Sequence, residues 1–338
     1  MNLIDVTKQF GTQEACVNYM EALRWPEGVT CLQCDSPKVT RLKTNDTMRK
    51  RLNPDTGEIE FKRVPGRFVY QCQNPECGHQ FSVTTGTIFH DTHLELGKWF
   101  LAVALMVNAK KGLSALQMKR DLKVAYKTAW YLNHRIRKAM ELVEAADGEK
   151  LAGTVEADET YIGGKYDARR KRARYDKEPV FGVVSRDGKA RTYHLSGKPT
   201  LKGVVEKIKD NVAITADAIY TDESNFYGTT AGCIKNHNHQ TVNHSAKEWV
   251  RGDVHTGTID GYWGLLKRGV IGSFHQISIK HLHRYLSEFQ FRWNNREAES
   301  MFMLVMAALV IGEAIPYAQL IGKLDAYGFL GDAGTEAE

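Results

Sequence analysis

No apolar run in this chain is long enough to cross a bilayer. The longest, Met301 to Ile311, reads instead as one buried helix. The opening, Met1-Asn2-Leu3-Ile4-Asp5, has neither a basic flank nor an apolar stretch, so no targeting signal is expected. Internal repeats and long low-complexity tracts are missing as well, which excludes a repeat array and a largely disordered chain. Charge of one sign is in small excess: 46 Lys and Arg stand against 40 Asp and Glu, net +6, which by itself only hints at an acidic partner. Cysteine is scarce, at six residues. The expectation is a cytoplasmic protein with no membrane partner. There thiols stay reduced, so the cysteines are weighed as metal ligands before disulfides.

What is present suffices for a real core. The chain is 42% hydrophobic, and its 338 residues suggest two or three compact units. Four regions are read along it: residues 1–92 with two cysteine pairs and short strand or turn signals, a helical stretch over 93–147, a stretch over 148–315 where strands and helices alternate, and a C-terminal helix with a frayed acidic end over 316–338.

Cys31-Leu-Gln-Cys34 is one CxxC knuckle, and Cys72-Gln-Asn-Pro-Glu-Cys77 is a second pair with a wider gap. Four thiolates in two knuckles suit a tetrahedral structural Zn²⁺, which a small β unit with little core needs as a staple. His79 is an alternative ligand, whereas Cys16 and Cys233 have no partners in sequence and read as ordinary thiols. Between the knuckles, Lys43, Arg49, Lys50, Arg51, Lys62, Arg63 and Arg67 surround a hairpin pattern, Glu58 to Lys62, behind an Asn53-Pro-Asp-Thr-Gly57 turn. Such a hairpin either lies against phosphates or is simply solvated.

Leu94 to Asn108 reads as an apolar helix. Ser114 is placed to cap a short second helix ending near Leu122, and a longer helix restarts near Val124 and reaches about Val143. Two helices about a tight turn fit a helix-turn-helix or the end of a plain bundle. The second helix is expected to expose Lys127, His134, Arg135, Arg137 and Lys138 to a DNA groove and its phosphates.

Downstream, Gly153 to Ile162, Val180 to Val184 and Ala190 to Leu195 read as strands, Leu201 to Lys209 as a helix, and Ala218 to Asp222 as a further strand. Three strands, a helix and a fourth strand is the order of a ribonuclease-H-like core. Carboxylates at two neighbouring strand ends, with Asp260 on a later helix, form a set able to hold two divalent ions. Glu156 and Asp158 share one face of an alternating strand, so periodicity leaves the choice between them open. Lys267 lies seven residues past Asp260, nearly the same helix face. The run Arg169 to Arg174 holds five basic residues in six positions, a loop suited to DNA or merely solvated.

Asp158-Glu-Thr-Tyr-Ile-Gly-Gly-Lys165, Tyr220-Thr-Asp-Glu-Ser224 and Ile259-Asp-Gly-Tyr-Trp-Gly-Leu-Leu-Lys-Arg-Gly269 resemble the DDE transposases of insertion sequences, zinc-ribbon (ISXO-two-like) subgroup. Gln80 to His90 and His281 to Arg296 resemble the same family's signatures, and the resemblance spans roughly residues 14 to 310. It implies a multidomain α/β protein: zinc ribbon with Zn²⁺ on Cys31, Cys34, Cys72 and Cys77, helix-turn-helix, and ribonuclease-H-like core. It selects Asp158 over Glu156 and implies Mg²⁺ or Mn²⁺ on Asp158, Asp222 and Asp260. Lys267, Arg268, Arg292, Arg296, the loop residues Arg169, Arg170, Lys171 and Arg172, and Lys127 and Arg135 become candidates for contact with double-stranded DNA, both element ends and target. Glu288 is placed to orient one of the arginines, and Trp263 reads as core. A homodimer or larger assembly on DNA follows from the mechanism. Two departures stand out: the third acid is usually Glu where this chain has Asp260, and Gly257 stands where the family often has Asn. They keep two alternatives in view, a related nuclease and a DNA-binding protein without catalysis.

Overall fold

The structure is a computed structural model of the chain that describes residues 1–52, 57–64, 66–163, 177–195, 197, 199–223 and 238–322. It divides into two compact units, Met1–Ala104 with Met306–Ile315, and Leu105–Val305 with Pro316–Glu338.

The first unit opens with two helices that the sequence reading did not anticipate, α1 (Leu3–Gln9) and α2 (Gln13–Arg24). Both begin at side-chain caps. Asn2 accepts from the Asp5 N–H while the Asp5 carboxylate accepts from the Asn2 N–H, and Thr12 accepts from the Ala15 N–H. They bury Val6, Phe10, Cys16, Val17 and Met20. A three-stranded antiparallel sheet follows, made of β1 (Val39–Lys43), β4 (Phe68–Cys72) and β5 (Gln80–Phe81), with β4 in the middle. The expected basic hairpin is present as a separate ribbon, β2 (Thr47–Leu52) against β3 (Ile59–Val64), whereas residues 53–56 of its turn lie outside the described residues. Then comes α3 (Leu96–Asn108).

In the second unit, α4 (Ala115–Leu122) starts at Ser114, whose hydroxyl accepts from the Gln117 N–H. It ends at Lys123 in the left-handed region (φ 50°), and α5 (Tyr126–Ala146) follows at once. The tight turn between two helices is therefore present.

The sheet of this unit contains β6 (Thr154–Ile162), β7 (Glu178–Ser185), β8 (Ala190–His194), β9 (Ala218–Thr221) and β10 (His239–Thr241). Helix α6 (Leu201–Asn211) lies between β8 and β9 in sequence. The spatial order is β10-β9-β6-β7-β8, with β6, β7 and β8 antiparallel in sequence, and β9 and β10 running parallel to β6. This is the ribonuclease-H-like order, completed by a fifth strand too short to read from pattern. Helices α7 (Gly257–Gly269), α8 (Leu282–Asn294), α9 (Met301–Ile311) and α10 (Tyr317–Leu320) follow in the chain, α9 from Met306 onward belonging to the first unit. A π-helical turn, Val270–Phe274, continues α7.

Alternation along β6 and β7 divides the core. Val155, Ala157, Phe181 and Val183 pack on one face with Val204 and Ile208 of α6. Val180, Val184 and Ile162 pack on the other face with Ile259, Tyr262, Trp263 and Leu266 of α7 and with Leu282, Leu286 and Phe289 of α8. Glu156 and Asp158 belong to this second face, and so does the helix carrying Asp260. Among the described residues, no helix is long and apolar enough to cross a membrane.

Candidate active site

Strand register brings the first two acids together. Thr154 pairs with Ala218, Val155 with Ile219 and Glu156 with Tyr220, an offset of 218 − 154 = 64. Asp158 and Asp222 differ by the same 64, so they lie side by side two residues beyond the last pair. Asp222 is just past the end of β9, but Asp158 is in the middle of β6, which pairs on with β7 to Ile162 rather than ending at the acid as expected. Asp158 is half-buried, Asp222 likewise, and Asp260 is exposed in the first turn of α7.

The third acid is held in place by a contact that depends on a glycine. Asp158 pairs with Gly182 of β7. A Cβ on Gly182 would sit 2.6 Å from the Trp263 ring. The bare position lets the indole lie on the sheet, where its Nε1–H donates to Asp158 Oδ2 at 2.9 Å. Trp263 is 3% exposed and one turn past Asp260 on α7, so the ring ties the helix bearing the third acid to the strand bearing the first. Its reading as a core residue agrees with the structure, though its edge serves the carboxylate.

Glu156 does different work from its neighbour. It is fully buried, and its carboxylate accepts from the Thr258 N–H (2.8 Å), the Ile259 N–H (3.0 Å), the Thr258 hydroxyl (3.0 Å) and Arg186 Nε (2.8 Å). Thr256 gives α7 no side-chain cap, so a strand carboxylate satisfies the unpaired amides at the positive end of the helix. Glu223 is committed too, to the amides of His244 and Ser245 and the Ser245 hydroxyl. The acids beside Asp158 and Asp222 thus have structural partners.

Charge at the site is costly. Burial, then the neighbouring carboxylates of Asp222 and Asp260, push Asp158 up to about 7, against the donors at Glu159 N and Trp263. A carboxylate whose charge is disfavoured by burial and by neighbouring carboxylates is the electrostatic mark of a site that gains from a cation. The donor set, hard oxygens only, fits Mg²⁺ or Mn²⁺. The three acids are spread more widely than the thiols described next, the one set of three or more candidate ligands, among the described residues, whose donor atoms all lie within 4.8 Å of one another.

That thiol set is Cys31, Cys34, Cys72 and Cys77 in the first unit. Cys31 and Cys77 sulfurs are 3.7 Å apart, as are those of Cys34 and Cys72. A tetrahedral ion with Zn–S bonds of about 2.3 Å needs sulfur–sulfur edges of about 3.8 Å, so the four thiolates fit structural zinc. His79 is not in the set and stacks on Phe81 instead. Cys16 is buried, its thiol pushed up to about 11 by that burial. Cys233 lies outside the described residues.

The cationic candidates fall into three groups. Lys267, Arg268 and Lys127 are exposed, with Lys127 5.3 Å from the Tyr317 ring centroid. Arg135 is half-buried beside the Tyr131 ring, and Lys138 is paired with Glu141. Arg169, Arg170, Lys171 and Arg172 lie outside the described residues.

Others are placed differently from expectation. His134 and Arg137 are each 1% exposed, not on a groove-facing surface. Arg137 Nε meets Glu288 Oε2 at 2.6 Å, and Arg292, 7% exposed, pairs with the other Glu288 oxygen. Both ion pairs are buried, the first joining α5 to α8 and the second within α8, so Arg292 is not on the surface where a phosphate would meet it. Arg296 is turned to the Gly188 and Trp293 carbonyls. The signature asparagines are structural as well: Asn294 accepts from the Ala190 N–H and donates to the Ala190 carbonyl and to Glu144, which Asn295 also reaches.

Family models match both regions of the chain that carry these clusters. Residues 150–294 match a family model described as an ISXO2-like transposase domain, and residues 11–80 match a transposase zinc-ribbon domain. An uncharacterized protein in transposable element ISH50 of Halobacterium salinarum is 25% identical over 300 residues, 84% of this chain and 92% of that one. A solved pre-cleavage Mos1 transpososome is 11% identical, covering 63% of this chain and 79% of that chain with a TM-score of 0.26. The two matched domains together take in more than half of the chain, in the order of its cysteine cluster and its carboxylate-bearing sheet, and the chain belongs to the zinc-ribbon, ISXO2-like family of insertion-sequence transposases.

Proposed function

We propose that this transposase cleaves DNA at the terminal inverted repeats of its element and joins the freed ends to target DNA, using divalent ions held by Asp158, Asp222 and Asp260. The observation that carries this reading is the shared register offset of the two strand aspartates beside a helix that brings a third, with Asp158 pushed up to about 7. Bound there, a pair of Mg²⁺ or Mn²⁺ ions would activate the attacking oxygen and stabilise the leaving oxygen of an in-line phosphoryl transfer. The protein's own part is positional. Trp263 fixes one Asp158 oxygen, Glu156 and Arg186 fix the start of α7, and the exposed Lys267 and Arg268 on that helix hold the phosphodiester beside Asp260.

The zinc ribbon over 1–92 and the helix pair over 93–147, with Lys127 and Arg135, bind the end sequences. The catalytic region covers 148–315 and the tail 316–338. Arg169 to Arg172 add phosphate contacts, and two copies pair two ends. Incubating the full chain with Mg²⁺ and a duplex carrying its own element end plus target DNA tests this. The expected result is end-specific cleavage and joined product. Nicked product without joining would favour a nuclease, and binding without cleavage in either Mg²⁺ or Mn²⁺ would overturn the catalytic reading.

A further inference from the structure

A cavity of about 640 Å³ lies between α4, the start of α5, the segment after α7 and the start of α8, all in the second unit. Its size is ordinary for a small-molecule site, but its lining is not that of a plain core gap. Tyr126, Trp130, Phe274 and Tyr285 give it aromatic walls. Gly112 (φ 82°) closes one side, and a Cβ there would sit 2.4 Å from the Phe274 ring, so the wall needs the glycine. At its inner end are two histidines. His134 is 1% exposed and, among the described residues, neither ring nitrogen has a hydrogen-bond partner; His281 is 6% exposed and its Nδ1 has none there either.

Buried polar atoms are rarely left unpaired, and those that are call for a ligand or water. Both histidines are neutral at ordinary pH, because burial first and then Arg137 and Arg284 nearby hold their pKa values down. A neutral imidazole offers one donor and one acceptor. The surrounding arginines disfavour a metal cation. Trp130 lies 4.1 Å from the His134 ring and 5.4 Å from the His281 ring, centroid to centroid, so flat faces and hydrogen-bonding edges meet in one place. Arg120, exposed, stands at the lining's edge where a phosphate attached to the occupant would lie.

We infer that this cavity takes an unpaired nucleobase extruded from bound DNA, stacked on the aromatic walls and hydrogen-bonded by His134 and His281. A planar heterocycle with donors and acceptors on its edge, carried on a phosphate, satisfies every feature of the lining. The inference rests on the DNA-binding reading above, since DNA delivers the base to the helix pair.

The test compares two duplexes of about two helical turns and arbitrary sequence. One is fully paired; the other carries a single bulged 2-aminopurine. The full chain is expected to bind the bulged duplex about tenfold more tightly, a modest share of what one stacked base contributes, and to change the 2-aminopurine fluorescence. Trp130→Ala should abolish the preference while leaving affinity for the paired duplex within about twofold. Tyr126→Ala, at a half-exposed wall position that tolerates truncation, should reduce the preference without loss of fold. Equal binding of both duplexes with unchanged fluorescence would overturn the pocket and leave the DNA-binding reading standing. No binding to either would remove that reading and the pocket with it.

Discussion

Replacing Asp158 by Asn should stabilise the metal-free protein at alkaline pH. The folded Asp158 titrates at about 7 against an ordinary 3.8. The sign follows directly. Below about pH 4 the group is protonated in both states and contributes nothing. As pH rises toward 7 the unfolded chain ionises while the folded one resists, so folding loses stability across that window, and above 7 the penalty is complete. Three units correspond to about 4 kcal/mol as a ceiling. Asp158 is partly solvated, so an observable effect of about 1–3 kcal/mol is expected. Asn keeps the acceptor for Trp263 Nε1–H and removes only the charge. The assay is urea or thermal unfolding of wild type and Asp158→Asn in chelator-treated buffer at pH 5, 6, 7 and 8, followed by tryptophan fluorescence. The variant's advantage should grow with pH, and Mg²⁺ should stabilise wild type but not the variant. A variant less stable than wild type at pH 8, or a difference that ignores pH, would refute the electrostatic account of the site.

Gly182→Val should push the Trp263 ring off the sheet, costing about 1–3 kcal/mol by overpacking and removing DNA cleavage more completely than DNA binding. Cleavage and filter-binding assays on one preparation separate the two. Cys31→Ser should lower zinc content from one ion per chain and destabilise the ribbon, read by elemental analysis and proteolysis of the first unit. Glu288→Gln leaves two buried arginines without their counter-charge, so a loss of about 3–5 kcal/mol is expected in denaturant unfolding, far beyond a surface charge change.

Much of this fold could be read from sequence because its signals are local. The β6 alternation, the Ser114 cap and the acids on β6 and just past β9 each show within a few residues. What could not be read was decided across long separations. Arg137 looked like a solvent-facing cation because Glu288, which neutralises it, lies 151 residues away. Arg296 reads as a phosphate ligand because the Gly188 carbonyl it donates to lies 108 residues away, whereas Arg292 has its partner Glu288 only one turn back, and it is the burial of that pair that sequence does not show. Glu156 and Asp158 share a strand face, and only the position of the α7 N-terminus separates a helix cap from a site carboxylate. Strand β10 is three residues long, too short for a period to show. Helices α1 and α2 carry their own local signals, the caps at Asn2 and Thr12.

The central claim is that three side chains from two strands and one helix share one set of divalent ions. Counting Mn²⁺ bound at pH 8 by electron paramagnetic resonance, in wild type and in Asp158→Asn, Asp222→Asn and Asp260→Asn, addresses it most directly. Each single substitution should weaken or abolish binding of the same ions, with the zinc content unchanged. Mn²⁺ binding in the three variants equal to wild type would contradict the account.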